Sequence, residues 1–292
     1  MKSGYYPAAE QKNRLLFVCV PDLTVAVNLT PTTLQLTLFG SEAGCLMLNV
    51  LAALLLCLLL SSHAYAAQRF IIGTEDINFY PHYDFTSVQG QGFANDVLRL
   101  FAEEYGYQFS FQPLPVKRLY HELDNLVDFI YPDNPNWAKF QGSQQQRLFS
   151  EPLVQNWGTT LVLPKNKQLE LAQVRTLAVI HGFTPVAWLA LKPDNKFKFY
   201  EVPNAVTAIN MVLKGQLDAA DVEYHVARHI LARQQQSDAL VVADKLPMTR
   251  VNFHLSTIRH PQVLAQFNQF LLTHQNEIAQ IKAGYNLADS PF

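Results

Sequence analysis

The chain has 292 residues, 49% of them hydrophobic and only 16% charged, with 22 basic against 24 acidic side chains and an isoelectric point near 6.5. A nucleic-acid-binding protein would carry a basic face and a high isoelectric point, and a disordered chain would have too little apolar surface to offset its entropy; both are excluded. Three cysteines are too few for a disulfide-rich scaffold.

Residues 1–46 show no sustained period and are left without a fold; a start codon at Met47 would leave them untranslated. Residues 45–60 read CLMLNVLAALLLCLLL, and the unbroken apolar core 50–60 is eleven residues long. A bilayer-spanning helix needs roughly 20, whereas the core of a secretory signal needs about 7–15. Ala64-Tyr65-Ala66 then places small residues at −3 and −1 of a cleavage site, so residues 47–66 are expected to be a signal peptide cut after Ala66. An uncleaved anchor is the alternative, because Met47-Leu48-Asn49 carries no positive charge. A lipoprotein is disfavoured by Leu54-Leu55-Leu56 ahead of Cys57. All three cysteines precede the cut, which suits an oxidising compartment.

Beyond Ala66, apolar runs and helical spacing alternate. A strand at 69–73 precedes a helix at 93–105, stopped by Gly106. A strand at 108–112 follows, then a helix at 116–126 with Leu119, Leu123 and Leu126 on one stripe, and a strand at 127–131 ended by Pro132. This βαβαβ order implies a parallel sheet flanked by helices. After a strand at 157–163 the pattern restarts. Strands are expected at 176–180, 196–201, 217–222, 240–243 and 251–258, and helices from Thr184-Pro185 and at 205–213, 224–233, 261–273 and 277–283. Two small βαβ-type units in tandem indicate two α/β lobes with a cleft between them.

Six segments stand out: Gly73-Thr74-Glu75-Asp76 with Tyr80-Pro81, Gln91-Gly92-Phe93-Ala94-Asn95-Asp96, Pro115-Val116-Lys117-Arg118, Phe149-Ser150-Glu151-Pro152-Leu153, Ile180-His181-Gly182-Phe183-Thr184 and Gly215-Gln216-Leu217-Asp218-Ala219-Ala220. In order and spacing they resemble the extracytoplasmic solute-binding proteins of family 3, the type associated with polar amino-acid uptake. The resemblance implies the type II periplasmic-binding-protein fold, with lobe I at 67–163 plus 250–292 and lobe II at 164–249. It also implies a ligand trapped by lobe closure. Members that bind α-amino acids use an Arg for the carboxylate, a fork geometry suited to that group, and an acid for the ammonium. Counting back from Phe149 places Ser143 where that Arg is expected, and Arg147 is expected to face solvent. Arg118 is the available substitute, equally readable as a surface ion pair. Glu223 stands where the family commonly has Asp, at a strand's C-terminal end; its alternative is an N-terminal helix charge. Thr184 caps a helix whose free N–H groups suit an anion, or is a cap and nothing more. Phe79, Tyr80, Trp137 and Phe183 are candidate walls, with core packing the alternative for the single aromatics. Asp133-Asn134-Pro135 follows a strand end and is expected to line the cleft.

No Gly-x-Ser-x-Gly elbow, nucleotide loop or His-Glu-x-x-His motif occurs, so no catalytic residue, metal or cofactor is assigned. His225 and His229 have metal-compatible spacing, and two solvated histidines are the plainer reading. The expectation is a monomeric periplasmic protein of Gram-negative type that binds a small polar solute, such as an amino acid, amine or organic acid. It would deliver this ligand to a membrane transporter or signal in trans, with no nucleic-acid partner. The alternative is an enzyme on the same scaffold performing dehydratase-like elimination, with Glu223 as the acid or base.

Overall fold

The computed structural model describes residues 14–20, 23–29, 34–39, 67–87, 89–123, 125–138, 146–192 and 196–287. Ser143 and the proposed signal at 47–66 lie outside them. The chain divides into two compact units, 1–65 and 66–292. In the first, β1 (Arg14–Val20), β2 (Leu23–Leu29) and β3 (Leu34–Phe39) form an antiparallel meander, pairing Arg14 with Leu29 and Thr24 with Phe39. No period was read there, yet Leu23, Val25, Val27 and Leu29 alternate with smaller or polar residues, as do Leu34, Leu36 and Leu38.

The second unit holds one continuous ten-stranded sheet with helices about it. At one end β4 (Gln68–Glu75) pairs in parallel with β7 (Tyr107–Leu114) and β8 (Phe129–Asp133). At the other, β11 (Thr176–Ile180) pairs in parallel with β12 (Lys198–Val202) and β13 (Ala219–Glu223). Two long strands, β10 (Val154–Val162) and β15 (Thr249–Thr257), join the halves. They pair antiparallel from Val154↔Phe253 to Gly158↔Thr249 and then part. Past the Gly158 end β10 runs on against β13 and β14 (Val241–Val242), and past the opposite, Phe253 end β15 runs on against β8 and β9 (Leu148–Phe149). Two lobes thus hang from one paired ribbon, the architecture expected from the alternating elements. Because each sheet is covered on both faces, its strands read as apolar runs. Trp188, Phe197 and Leu177 pack one face of the second sheet, and Leu119, Leu123 and Ile130 one face of the first.

Helix α1 (Phe93–Tyr105) buries Phe93, Val97, Leu98 and Phe101, and Gly106 closes it in the left-handed conformation, its N–H bonding Ala102 and Glu103 carbonyls. Gly92 opens it at φ 101°, where a Cβ would lie 2.8 Å from the Tyr83 Cα, so backbone approach requires glycine. The helices α5 (Ala205–Leu213), α6 (Tyr224–Arg233) and α7 (Pro261–Thr273) span the expected residues, and α8 (Gln275–Gly284) slightly exceeds its expectation.

Three expectations need correction. The helix at 116–126 stops at once: α2 (Val116–Leu119) gives way to turns in which Leu123 bridges Val127. Leu119 and Leu123 are buried but Leu126 is 41% exposed, so the apparent stripe was two positions wide. Pro132 does not end its strand. Asp133 faces His254 and Ile130 faces Ser256, three steps against two, and Pro132 sits in the resulting bulge, where a missing N–H is tolerated. Thr184 is not a helix cap: Pro185 holds that position in α4 (Val186–Leu191), and the Thr184 carbonyl accepts from the Val186 N–H at 2.8 Å.

Candidate functional site

A cavity of about 330 Å³ lies where the lobes face each other across the ribbon. The first lobe contributes Glu75, Phe79, Tyr83, Tyr120, Asn134 and Trp137, the second Gly182, Phe183, Thr184, Trp188, Asp221 and Glu223. The crossing strands supply Asn156, Gly158, Arg250 and Phe253. Glu75 and Glu223 both end strands, β4 and β13, which is where open α/β sheets present side chains to a crevice.

The lobes are in contact. The Phe79 and Phe183 rings stand 5.6 Å apart across the cleft, and a Cβ on Gly182, at φ +88°, would lie 2.9 Å from the Val116 Cβ. The Lys117–Glu201 pair bridges the lobes at 3.9 Å, but both side chains are exposed and such a pair contributes little.

Six of the nine candidate residues line the cavity: Phe79, Asn134, Trp137, Phe183, Thr184 and Glu223. Asn134 is engaged within the protein, its Nδ2 donating to the Asn252 carbonyl and its Oδ1 accepting from the Asn136 N–H. Tyr80 does not reach the cavity; its ring packs on His229 and Tyr285. Arg118 is 61% exposed and donates to Glu122 at 2.9 Å, the surface ion pair of its alternative reading. Asp133 lies beneath the site rather than in it. Its carboxylate meets the Arg147 guanidinium at 3.1 Å and accepts from Ser256 Oγ and the Asn134 N–H. Burial raises Asp133 to about 6 against the opposing pull of Arg147 and Ser256. Arg147, expected in solvent, is 2% exposed and stacks over Tyr120 and Phe149.

The carboxyls that bear on the cavity are different ones. Tyr83 Oη donates to Glu75, and burial together with the charge of Asp133 overrides that bond and lifts Glu75 to about 7. Asp221 is likewise raised by burial to about 7, and among the described residues no hydrogen bond or ion pair engages its side chain. Asp221 alternates with Glu223 along β13 and so shares its face. Asn156, 2% exposed, has an amide nitrogen with no hydrogen-bond partner among the described residues. Arg250 brings the one cationic side chain among the lining residues, its guanidinium 4.6 Å over the Trp157 ring. The strand-end rule that selected Glu223 applies equally to Glu75, and period two along β13 leads from Glu223 to Asp221, so both were within reach of sequence patterning.

Glu223 is the most heavily engaged group. Its Oε2 accepts from the Val226 N–H at 2.8 Å and lies 3.1 Å from His82 Nε2; its Oε1 lies 3.0 Å from His225 Nδ1. Burial would raise this carboxyl, but the two imidazoles hold it below the usual carboxylate range. His225 therefore meets Glu223 and His82, not His229. One donor atom from each of His82, Glu223 and His225 lies within 4.8 Å of the others.

No family model matches the sequence, and no curated protein matches it significantly. Solved structures do resemble the fold. An arginine 3rd transport system periplasmic binding protein from Legionella pneumophila aligns at TM-score 0.60 and 14% identity over 75% of this chain and 100% of its own. The GluR0 ligand-binding core in complex with L-glutamate aligns at 0.62 and 16%, over 75% and 99%. An ancestral amino acid-binding protein, a precursor of cyclohexadienyl dehydratase, aligns at 0.59 and 21%, over 74% and 95%. The fold is therefore the two-lobed one of periplasmic binding proteins. No helix among the described residues is long and apolar enough to cross a membrane.

Proposed function

We propose that this chain is an exported periplasmic binding protein of the family 3 type, whose lobes close on a small cationic solute: an amine or a basic amino acid. It acts as a monomer and hands its ligand to a membrane transporter or signalling partner. The observation that carries the reading is the balance of charge in the cleft. Glu75 and Asp221 face a single guanidinium, that of Arg250, Glu223 being matched by its two imidazoles, and Asp221 has no partner among the described residues. Inside a partly desolvated cleft that imbalance favours a positive ligand. The aromatic walls, Phe79, Trp137 and Phe183, suit the same ligand through cation–π attraction, worth up to about 2 kcal/mol when desolvated. Arg250 and the amide of Asn156 remain to receive a carboxylate where the ligand is an amino acid.

Thermal unfolding of ligand-stripped protein against amines, basic amino acids, neutral amino acids and organic acids tests this directly. At about 100 times its dissociation constant a ligand adds roughly 2.7 kcal/mol of stability. Upward shifts are expected with the amines or basic amino acids and not with organic acids; a response to organic acids alone sinks the reading. Trp137→Ala is expected to weaken the cation about ten-fold. Gly182→Ala is expected to weaken it to a similar degree by another route. The methyl strains a positive-φ position and presses on Val116 only when the lobes are together, raising the closed state by about 1–2 kcal/mol. Calorimetric titration of each variant with the cation found in the screen measures both.

One observation favours a lyase as the second reading. A carboxyl near neutrality in the cleft, Glu75 at about 7, has the poise of a general acid or base. Glu223, held as a carboxylate by two imidazoles, does not. Turnover of a bound compound that disappears in Glu75→Gln would move the assignment to elimination chemistry.

A further inference from the structure

His82, Glu223 and His225 form a buried cluster that the solute reading does not use. Their side chains are 1%, 4% and 8% exposed. We propose that they bind a divalent transition-metal ion of the zinc class, with one imidazole from the first lobe and an imidazole and a carboxylate from the second.

The donor set is two nitrogens and one carboxylate oxygen, which suits zinc and its borderline neighbours rather than calcium or magnesium, whose ligands are oxygens. An ion about 2.1 Å from each tetrahedral donor would hold those donors roughly 3.4 Å apart. His82 Nε2 and His225 Nδ1 stand 3.1 and 3.0 Å from the two oxygens of Glu223, and one donor atom from each residue lies within 4.8 Å of the others, a spacing in reach of that figure.

A second observation is independent of that spacing. Buried ring nitrogens normally find a hydrogen-bond partner, but His82 Nε2, one of the proposed donors, makes no hydrogen bond among the described residues although a Glu223 oxygen lies 3.1 Å away. A buried imidazole nitrogen this close to a carboxylate oxygen without bonding it leaves a place for an ion to join the two. The ligands are also held in place. The Val226 N–H fixes the Glu223 carboxylate, the first turn of α6 carries His225, and the Phe79 and Phe253 rings pack on His82. Because the donors come from both lobes, the ion favours the closed arrangement in proportion to its preference for that state. The site stands apart from the identity of any cleft solute.

The test uses the whole chain after chelator treatment, titrated calorimetrically with Zn²⁺ and examined by visible absorption with Co²⁺. Expected are one ion per chain, a tetrahedral Co²⁺ spectrum and a raised melting temperature. His82→Asn and His225→Asn should each lose at least about 100-fold in affinity, since even outer partners of metal ligands are worth 10–100-fold. His229→Asn, on the same helix, should bind as the parent does. Unfolding curves recorded in chelator establish that the variants fold. No binding by the parent protein, or undiminished binding by folded His82→Asn and His225→Asn, overturns the site. A protein that takes zinc and ignores every amine would leave this site standing and remove the cationic-solute reading instead.

Discussion

Arg147→Ala is expected to destabilise the protein by about 3–5 kcal/mol, the usual cost of removing one member of a buried ion pair. Three losses combine. The guanidinium pairs with Asp133 at 3.1 Å, and neither side chain is more than 2% exposed. The same group lies 4.9 Å over Tyr120 and 5.7 Å over Phe149, so its removal opens a gap between rings. Asp133 then keeps only Ser256 and its neighbouring backbone N–H as partners for a buried carboxyl. For a protein of this size the melting temperature should fall by on the order of 10 °C. The loss should depend on pH with a definite sign. Asp133 is already raised to about 6 by burial, and removing Arg147 takes away the largest opposing influence. A group whose folded pKa is raised contributes stability below its unfolded value and loses it as pH rises through the folded one. The variant should therefore suffer less at pH 5 than at pH 8. Adding Asp133→Asn to Arg147→Met should recover much of the loss, because the pair as a unit is worth far less than either half alone. Chemical denaturation of the three proteins at both pH values measures this, and a single-variant loss under about 1 kcal/mol would refute the account.

What the sequence disclosed and what it hid divide along physical lines. Helices α1, α6 and α7 were legible to the residue because their apolar spacing, the glycine that stops α1 and the proline opening α7 are all local signals. The two lobes followed from the repeated alternation of strand and helix. The cleft was legible only in part. Glu223 was proposed from its strand end and Phe183 from the segment that resembles the family, and both line the cavity, but Tyr80 faces the opposite way from Phe79, one residue before it. Arg147 was expected in solvent and is buried, because its burial depends on Asp133 fourteen positions earlier and on Tyr120 earlier still. His82 meets Glu223 across 141 positions, a contact created by lobe closure and invisible to any periodicity. The Val116–Leu119 helix shows the converse failure, where i, i+4 apolar spacing was satisfied by consecutive turns.

The stability of the unliganded protein should fall as pH rises from about 5 to 8, with Glu75 contributing to the fall alongside the likewise raised Asp221 and Asp133. In the unfolded chain its carboxyl titrates near 4.5; folded, burial and the charge of Asp133 lift it to about 7 despite the Tyr83 hydroxyl that donates to it. The raised group stabilises fully below about 4.5, and that contribution is lost as pH passes through about 7. The difference amounts to about 3 kcal/mol across the window. Glu75→Gln keeps an acceptor for Tyr83 Oη and has no proton to lose, so its stability should be flatter over the same range. Binding reverses the sign. A cationic solute in the cleft favours ionised Glu75, so taking it up expels a proton, and affinity should rise as pH climbs towards 7 by up to about ten-fold per unit. In Glu75→Gln that slope should become shallower, the remainder belonging to Asp221, and the affinity at pH 8 should drop. Melting temperature and calorimetric affinity at pH 5, 6, 7 and 8, for parent and variant together, separate the two effects. A parent whose stability is level over this window would show that Glu75 is not protonated in the fold. An affinity slope that persists undiminished in Glu75→Gln would show that the cation sits away from Glu75, leaving the likewise raised Asp221 as its counter-charge.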